Sequence, residues 1–303
     1  MRMKWEKLGR ILEPVGQRPW LKSHAADPVP RHLGGDIYRI YCTGRDESGR
    51  GQIGWFEIDL RSPHHQLAFA DESLLSPGPL GGYDDNGVVN ACIVDVGDRE
   101  YHYFSGMTLG VTVPFYFFVG LAISEDKGAT LRKLHSAPIL ERNAVDPYLT
   151  GSPWVMFDRG MFRMWYTSGV RWVEEDGEPK HYYHIKYAES ADGITWNRAG
   201  IVAIDFVGSE YVAARPCVVH DGDLYRMWYS YRGESYRLGY AESADGISWE
   251  RRDDLVGIDV SARGWDADMI EYATVFDHGG ERYMLYNGNG YGRSGIGLAR
   301  LMR

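Results

Sequence analysis

Hydrophobic and polar positions alternate with a period of two along most of this chain. The clearest stretch runs from Tyr225 to Trp249, YRMWYSYRGESYRLGYAESADGISW. A near-copy lies upstream, FRMWYTSG from Phe162 to Gly169 and then IKYAESADGITW from Ile185 to Trp196. Each copy predicts strand, turn, strand, tight turn and strand, with aromatic and β-branched residues alternating with polar ones and Asp-Gly marking the turn before a closing Trp. A segment that recurs with its turns intact is a structural unit. Units that cannot bury their own faces stack on neighbours.

Three more degenerate copies keep the same order: a short apolar strand, a Gly- or Asp-rich turn, and an aromatic strand. The opening residues of all five units, Pro28, Ala91, Pro153, Pro216 and Ala273, recur at intervals of 63, 62, 63 and 57 residues. A third strand follows in each, as IGWFEIDL, FVGLAISED, IKYAESAD, LGYAESAD and IGLARLM. A fourth is read in LRKLHSAPIL, WNRAGIVAI and WERRDDLVGI, and the last unit lacks one. Trp5-Glu6-Lys7 followed by LGRIL resembles Trp196-Asn197-Arg198 and Trp249-Glu250-Arg251. An N-terminal strand would therefore complete the last sheet and remove a long open edge. The expected fold is all-β: a five-bladed β-propeller of four-stranded antiparallel blades, one domain over residues 1–303, closed by its N-terminal strand.

Composition agrees with many strands and turns, since the chain has 21 Tyr, 10 Trp and 37 Gly. Its formal net charge of -9 excludes a nucleic-acid surface or an anionic-membrane surface, which would need a basic stripe. Cys42, Cys92 and Cys217 have no metal-type spacing and are expected to be buried free thiols. No secretory signal is read at the start, and the longest apolar run, near 111–123, is too short to span a bilayer. A cytoplasmic protein is expected. The Ser190–Trp196 and Ser243–Trp249 turns are read as self-capping hairpins. Gly290–Gly295, though spaced like a dinucleotide fingerprint, is read as a Gly-rich hairpin because too little chain follows for a crossover.

The residues just before the five opening positions are Asp27, Asn90, Ser152, Arg215 and Tyr272. In a propeller these are expected to face one central channel, and a packed axis would be lined by small apolar residues instead. Further carboxylates and amides flank them: Asp84, Asp85, Glu210, Asp266, Asp268 and Glu271, with Asn287 and Asn289 near the end. Singly, such residues are commonly turn formers. As a recurring set beside Trp and Tyr rings they suit carbohydrate, whose faces stack on rings and whose hydroxyls pair with carboxylates and amides. His24, three residues before Asp27, would line the same mouth, although a lone His is more often a structural hydrogen-bonder.

With Asp27-Pro28, the paired MWY strands and the AES-x-DG-x-x-W turns, the chain resembles the five-bladed propeller glycosidases and phosphorylases, including arabinanases, β-xylosidases, invertases and β-mannoside phosphorylases. It also resembles a cytoplasmic branch of that group through Asp84-Asp85-Asn86-Gly87, Tyr148 to Pro153, Arg215-Pro216, Gly264-Trp-Asp266 and Tyr286 to Asn289. The resemblance covers essentially the whole chain. It implies an Asp in the first blade as base or nucleophile, matched by Asp27, and a Glu in a later blade as general acid. The chain departs from the pattern in having no Arg-Asp-Pro or Glu-Cys-Pro triplet; Ala-Arg-Pro stands at Ala214–Pro216.

Three functions follow as expectations. The first is an intracellular glycoside hydrolase with Asp27 or Asp85 as base and Glu210 or Glu271 as acid, and His24, Asp84, Asn90, Ser152, Arg215, Asp266, Asp268, Tyr272, Asn287 and Asn289 holding substrate. The second is a phosphorylase or other glycosyl-transfer enzyme, with Arg215, Arg45, His24 and Arg293 as the anion site. The third is a non-catalytic sugar-binding propeller. The partner is a small carbohydrate or sugar phosphate. Some propeller glycosidases carry calcium near the axis, but no segment here has the spacing of a dedicated calcium loop, and no metal or other cofactor is expected.

Overall fold

The computed structural model describes residues 2–14, 16 and 18–302. Strands dominate. β1 (Trp5–Leu12) comes first. β2 (Ser23–Gly34), β3 (Ile37–Arg45), β4 (Gly51–Asp59) and β5 (Gln66–Phe69) form one antiparallel run. β6 (Gly87–Val96), β7 (Arg99–Leu109), β8 (Phe115–Ser124) and β9 (Arg132–Lys133) form a second. β10 (Thr150–Asp158), β11 (Met161–Glu175), β12 (Glu178–Ser190) and β13 (Val202–Ile204) form a third. β14 (Val212–Asp221), β15 (Leu224–Arg232), β16 (Tyr236–Ser243) and β17 (Glu250–Arg251) follow in that order. The last sheet is β18 (Glu271–His278), β19 (Glu281–Asn287) and β20 (Ile296–Leu301), joined by β1 along β20.

The N-terminal strand thus does what the Trp-Glu-Lys match anticipates: Trp5 lies opposite Leu301 and Leu12 opposite Ile296. Two expectations are corrected. The opening strands start upstream of Pro28, Ala91, Pro153, Pro216 and Ala273, so the polar residues preceding these lie inside strands rather than in loops. The fourth strands are short, two residues in β9 and β17 and three in β13, because little apolar alternation persists there to define a face. The first run also has a fourth strand, β5. Gly290–Gly295 lies, as expected, in the connection between the antiparallel strands β19 and β20, and its short turn α1 (Asn289–Gly292) has left-handed backbone at Gly290 and Tyr291.

The chain divides into two compact units. One comprises Met1–Leu74, Cys217–Ser230 and Glu234–Arg303; the other comprises Leu75–Pro216 and Tyr231–Gly233. In the first, Ile11, Leu12, Trp20, Ile40, Phe56, Leu285 and Leu298 form a buried apolar cluster. Trp20 is fully buried, its indole N–H donates to the Ala70 carbonyl at 2.9 Å, and Gly44 and Gly54 leave room for its ring. In the second, Tyr103, Leu121, Leu140, Met164 and Tyr166 make the equivalent core. The MWY runs, Met164–Tyr166 and Met227–Tyr229, are buried at every residue, as interior strands covered on both faces are. No helix among the described residues is long and apolar enough to cross a membrane.

The self-capping turns form as expected. Asp192 Oδ1 accepts the Ile194 and Thr195 N–H groups, and the Gly193 N–H donates to Ser190 Oγ. Asp245, Ser243 and Gly246 repeat this atom for atom. All three cysteines are free and buried, and Cys92 and Cys217 accept the Val155 and Val275 N–H groups.

Candidate functional site

The residues Asp27, Asn90, Ser152, Arg215 and Tyr272 share parts of one local structure. Ladder pairing slips between Ala26 and Val29, Asn90 and Cys92, Gly151 and Trp154, and Glu271 and Thr274, which marks a bulge at each. Four of the five have left-handed backbones, with φ of 54° at Asp27, 43° at Ser152, 53° at Arg215 and 56° at Tyr272. Such a conformation costs a non-glycine residue about 1–3 kcal/mol and persists only where surroundings hold it. Here one hydrogen bond recurs to hold it. The Asp27 N–H donates to Asn287 Oδ1 at 3.1 Å, Ser152 to Ser105 Oγ at 2.7 Å, Arg215 to Thr167 Oγ1 at 3.3 Å and Tyr272 to Ser230 Oγ at 2.8 Å. A bulge re-aims a side chain out of the alternating pattern. These polar side chains are therefore presented deliberately.

In the first unit this geometry gathers two carboxylates. Asp27 is 4% exposed and Glu271 is fully buried. β2 lies alongside β18 and β19. The Tyr272 hydroxyl is pushed well above the usual phenol range, by burial first, then by Tyr236, Glu271 and Asp27. Asp27 also helps burial raise the Cys42 thiol. Tyr236 meets Tyr272 edge-on at 5.6 Å and Tyr291 at 5.9 Å, giving a three-ring aromatic group. Asn287 is fully buried; its Oδ1 serves the Asp27 backbone, and its Nδ2 has no hydrogen-bond partner among the described residues. The α1 loop closes over β2: a Cβ on Gly292 would lie 2.3 Å from the Ala25 carbonyl oxygen. His24 stands at this edge, with its imidazole lowered to about 4 by burial and by Arg45 and Arg293.

In the second unit Arg215, 3% exposed, donates through Nη1 to the carbonyl of Asn90, itself 2% exposed. Ser152, half-buried, completes that unit's share of bulged residues.

The remaining carboxylates are engaged in building loops. Asp84 is buried and paired with Lys133. Asp266 is buried and takes Lys7 at 2.7 Å and the Tyr286 hydroxyl at 3.2 Å. Asp146 shows the same device: Lys186 at 3.1 Å, Arg198 at 3.2 Å and the Tyr166 and Ser168 hydroxyls all converge on it. Each fastens the segment before an inner strand to an outer part of its own sheet. Asp85 accepts the Gly81 N–H at 2.9 Å and Glu210 the Val207 N–H at 3.0 Å, each bracing its own turn. Asp268 is exposed, and its N–H donates to Asn289 Oδ1. Asn289 also bonds Met269 and Gly264, so it ties one loop to another. Of the predicted acids and bases, Asp27 and Glu271 are buried on the neighbouring strands β2 and β18, whereas Asp85 and Glu210 brace turns.

Sequence reasoning passes over Tyr236, Tyr291 and the acceptors Ser105, Thr167 and Ser230. A signal for the acceptors is present: in every repeat a small polar residue follows the aromatic strand, as in Tyr-Cys-Thr43, Tyr-Phe-Ser105, Trp-Tyr-Thr167, Trp-Tyr-Ser230 and Leu-Tyr-Asn287. Among the described residues no group of three or more His, Cys, Asp or Glu is placed to hold a metal ion.

No family model matches the sequence. Two uncharacterised proteins of Mycobacterium tuberculosis strains are 47% and 46% identical over 300 residues, covering 99% of this chain and of each of them. Among solved structures, the chain is similar to a glycoside hydrolase with TM-score 0.75 and 19% identity, over 99% of this chain and 92% of that one. It is similar to the catalytic domain of an α-L-arabinofuranosidase from Coprinopsis cinerea with TM-score 0.68 and 12% identity, over 99% and 98%. An endo-arabinase from Bacteroides thetaiotaomicron gives TM-score 0.66 and 13% identity, over 94% and 96%. At these identities the likeness is one of fold: the all-β architecture of the propeller glycoside hydrolases.

Proposed function

The chain belongs to the family of the two uncharacterised mycobacterial proteins, and on that footing we propose that it is an intracellular glycoside hydrolase built as a single five-bladed propeller domain, cleaving an oligosaccharide or sugar conjugate with Asp27 and Glu271. The observation that carries the reading is the pair itself. Two carboxylates, Asp27 on β2 and Glu271 on β18, are buried on neighbouring strands, Asp27 on a strained bulge that a dedicated hydrogen bond maintains. Buried carboxylates without a task are disfavoured, because desolvation of charge is costly.

Glycoside cleavage needs one carboxyl group protonated and one ionised. Glu271 is assigned as the acid that protonates the departing glycosidic oxygen, and Asp27 as the carboxylate that assists attack at the anomeric carbon. Tyr236, Tyr272 and Tyr291 supply ring edges and faces for the sugar, and the Asn287 amide N–H₂ supplies a buried donor to a hydroxyl. Three free, buried thiols suit a reducing compartment. The fold likeness to glycoside hydrolases supports the reaction class.

The test is a turnover screen with 4-nitrophenyl glycosides and natural oligosaccharides, each with and without inorganic phosphate. Phosphate-independent release of product is the expected result. Release only with phosphate would replace hydrolysis by phosphorolysis. Saturable binding with no release over hours would leave a sugar-binding propeller.

A further inference from the structure

Three residues before Asp27 the first unit carries a basic cluster that acid–base chemistry does not use. His24 is the bulged residue of β2: pairing passes from Ser23 opposite Arg45 to Ala25 opposite Gly44, and its φ is 58°. Arg45 therefore stands across the ladder from the residue next to His24. Gly292 is pressed against the Ala25 carbonyl from the other side, which sets Arg293 beside the same bulge. Both guanidiniums act on the imidazole: burial, then Arg45, then Arg293 lower it to about 4. At neutral pH the ring is uncharged, with Nδ1 3.0 Å from Ser23 Oγ.

Several arginines elsewhere in this unit hold carboxylates. Arg39 pairs with Glu57, Arg251 with Asp253, and Arg282 with Asp221 and Asp277. Neither Arg45 nor Arg293 has a carboxylate partner among the described residues. Two guanidiniums brought near one imidazole without a counter-charge repel, and an oxyanion between them removes that repulsion. In a chain of net charge -9 a local excess of cations stands out against the background. A guanidinium's planar fork fits a carboxylate or phosphate better than it fits a neutral hydroxyl.

We propose that Arg45, Arg293 and His24 form an oxyanion subsite that receives an acidic group of the saccharide, a phosphate ester or a uronate carboxylate. The word saccharide rests on the reading of Asp27 and Glu271 given above; the anion chemistry rests on the cluster itself. This gives the enzyme a class of substrate, an acidic sugar, with the charged group held next to the strand that carries Asp27.

The test follows the His24 imidazole by nuclear magnetic resonance at constant ionic strength, titrating the protein with inorganic phosphate, glucuronate and glucose. Phosphate, glucuronate or both should move the His24 signals saturably and raise the pH at which the ring protonates, and glucose should not. Arg45→Gln and Arg293→Gln should each weaken the effect by roughly tenfold, the scale of one charge-assisted contact. A response to phosphate alone assigns a phosphoryl group, and a response to glucuronate alone assigns a carboxylate; either supports the subsite. A ring that neither anion moves beyond a chloride control overturns it. So does an equal response in the folded double variant. Failure of the hydrolase reading appears elsewhere, as absent turnover, and leaves this titration interpretable.

Discussion

His24 and His181 show how single side chains in this protein are held away from their ordinary ionisation. Both imidazoles are lowered to about 4, His24 by burial, Arg45 and Arg293, and His181 by burial, Arg232 and Lys180. Below the usual value of 6.5 the unfolded chain takes up protons that the folded chain refuses. Stability should therefore fall as pH drops from 6.5 towards about 4. Aspartates held low by their partners, such as Asp221 by Arg282 and Asp245 by the Ser248 and Ile247 N–H groups, lose their contribution only below 3.8. Urea midpoints measured across pH 7.5 to 4.5 should decline, and a His24→Gln, His181→Gln variant should decline less. Asp146 makes a different prediction at the same scale. Its replacement by Ala leaves Lys186 buried without its counter-charge and Arg198 with Glu141 alone, which should cost about 3–5 kcal/mol in denaturant unfolding. Residue roles were only partly legible in the sequence. Asp84 and Asp266 look like binding residues because the cations that claim them, Lys133 and Lys7, lie 49 and 259 positions away. Only the folded chain discloses those partners.

At the scale of elements, the recurring device is the bulge with a left-handed residue fixed by a side-chain acceptor. Its parts were in the sequence, as a polar residue before Pro or Ala and a small polar residue after each aromatic strand. What joined them was not, because the acceptor belongs to the preceding repeat and register is invisible one strand at a time. Thr167→Val and Ser230→Ala each leave a backbone N–H, of Arg215 and Tyr272, without its acceptor. Each should destabilise by about 1–3 kcal/mol, measured by denaturant unfolding. Because the same bond aims the bulged side chain, Ser230→Ala should also weaken saccharide binding at Tyr272, whereas a conservative Ser230→Thr should retain it. The strands themselves were read well wherever alternation was strong. The fourth strands, two residues in β9 and β17 and three in β13, are shorter than the sequence suggests because their flanking segments are polar enough to be turns and apolar enough to be strands.

For the molecule as a whole, repetition was the most informative property of the sequence. Four spacings near 60 residues announced five similar β units, and the match of Trp5-Glu6-Lys7 to two later Trp motifs announced the pairing of β1 with β20. The chemistry repeats less faithfully than the scaffold. Among the described residues, one pair of bulge-linked carboxylates, Asp27 and Glu271, survives once the loop-building acids are assigned. That pair is the centre of the functional account, and kinetics on the two conservative variants test it most directly. With a saccharide that the native protein turns over, kcat/KM should fall by about 10²–10⁴-fold in both Asp27→Asn and Glu271→Gln, while Asp85→Asn and Glu210→Gln stay within about threefold of the native value. Thermal unfolding run alongside confirms that each variant is folded. Native-like rates in Asp27→Asn or Glu271→Gln, or the large loss appearing at Asp85 or Glu210 instead, would contradict the account.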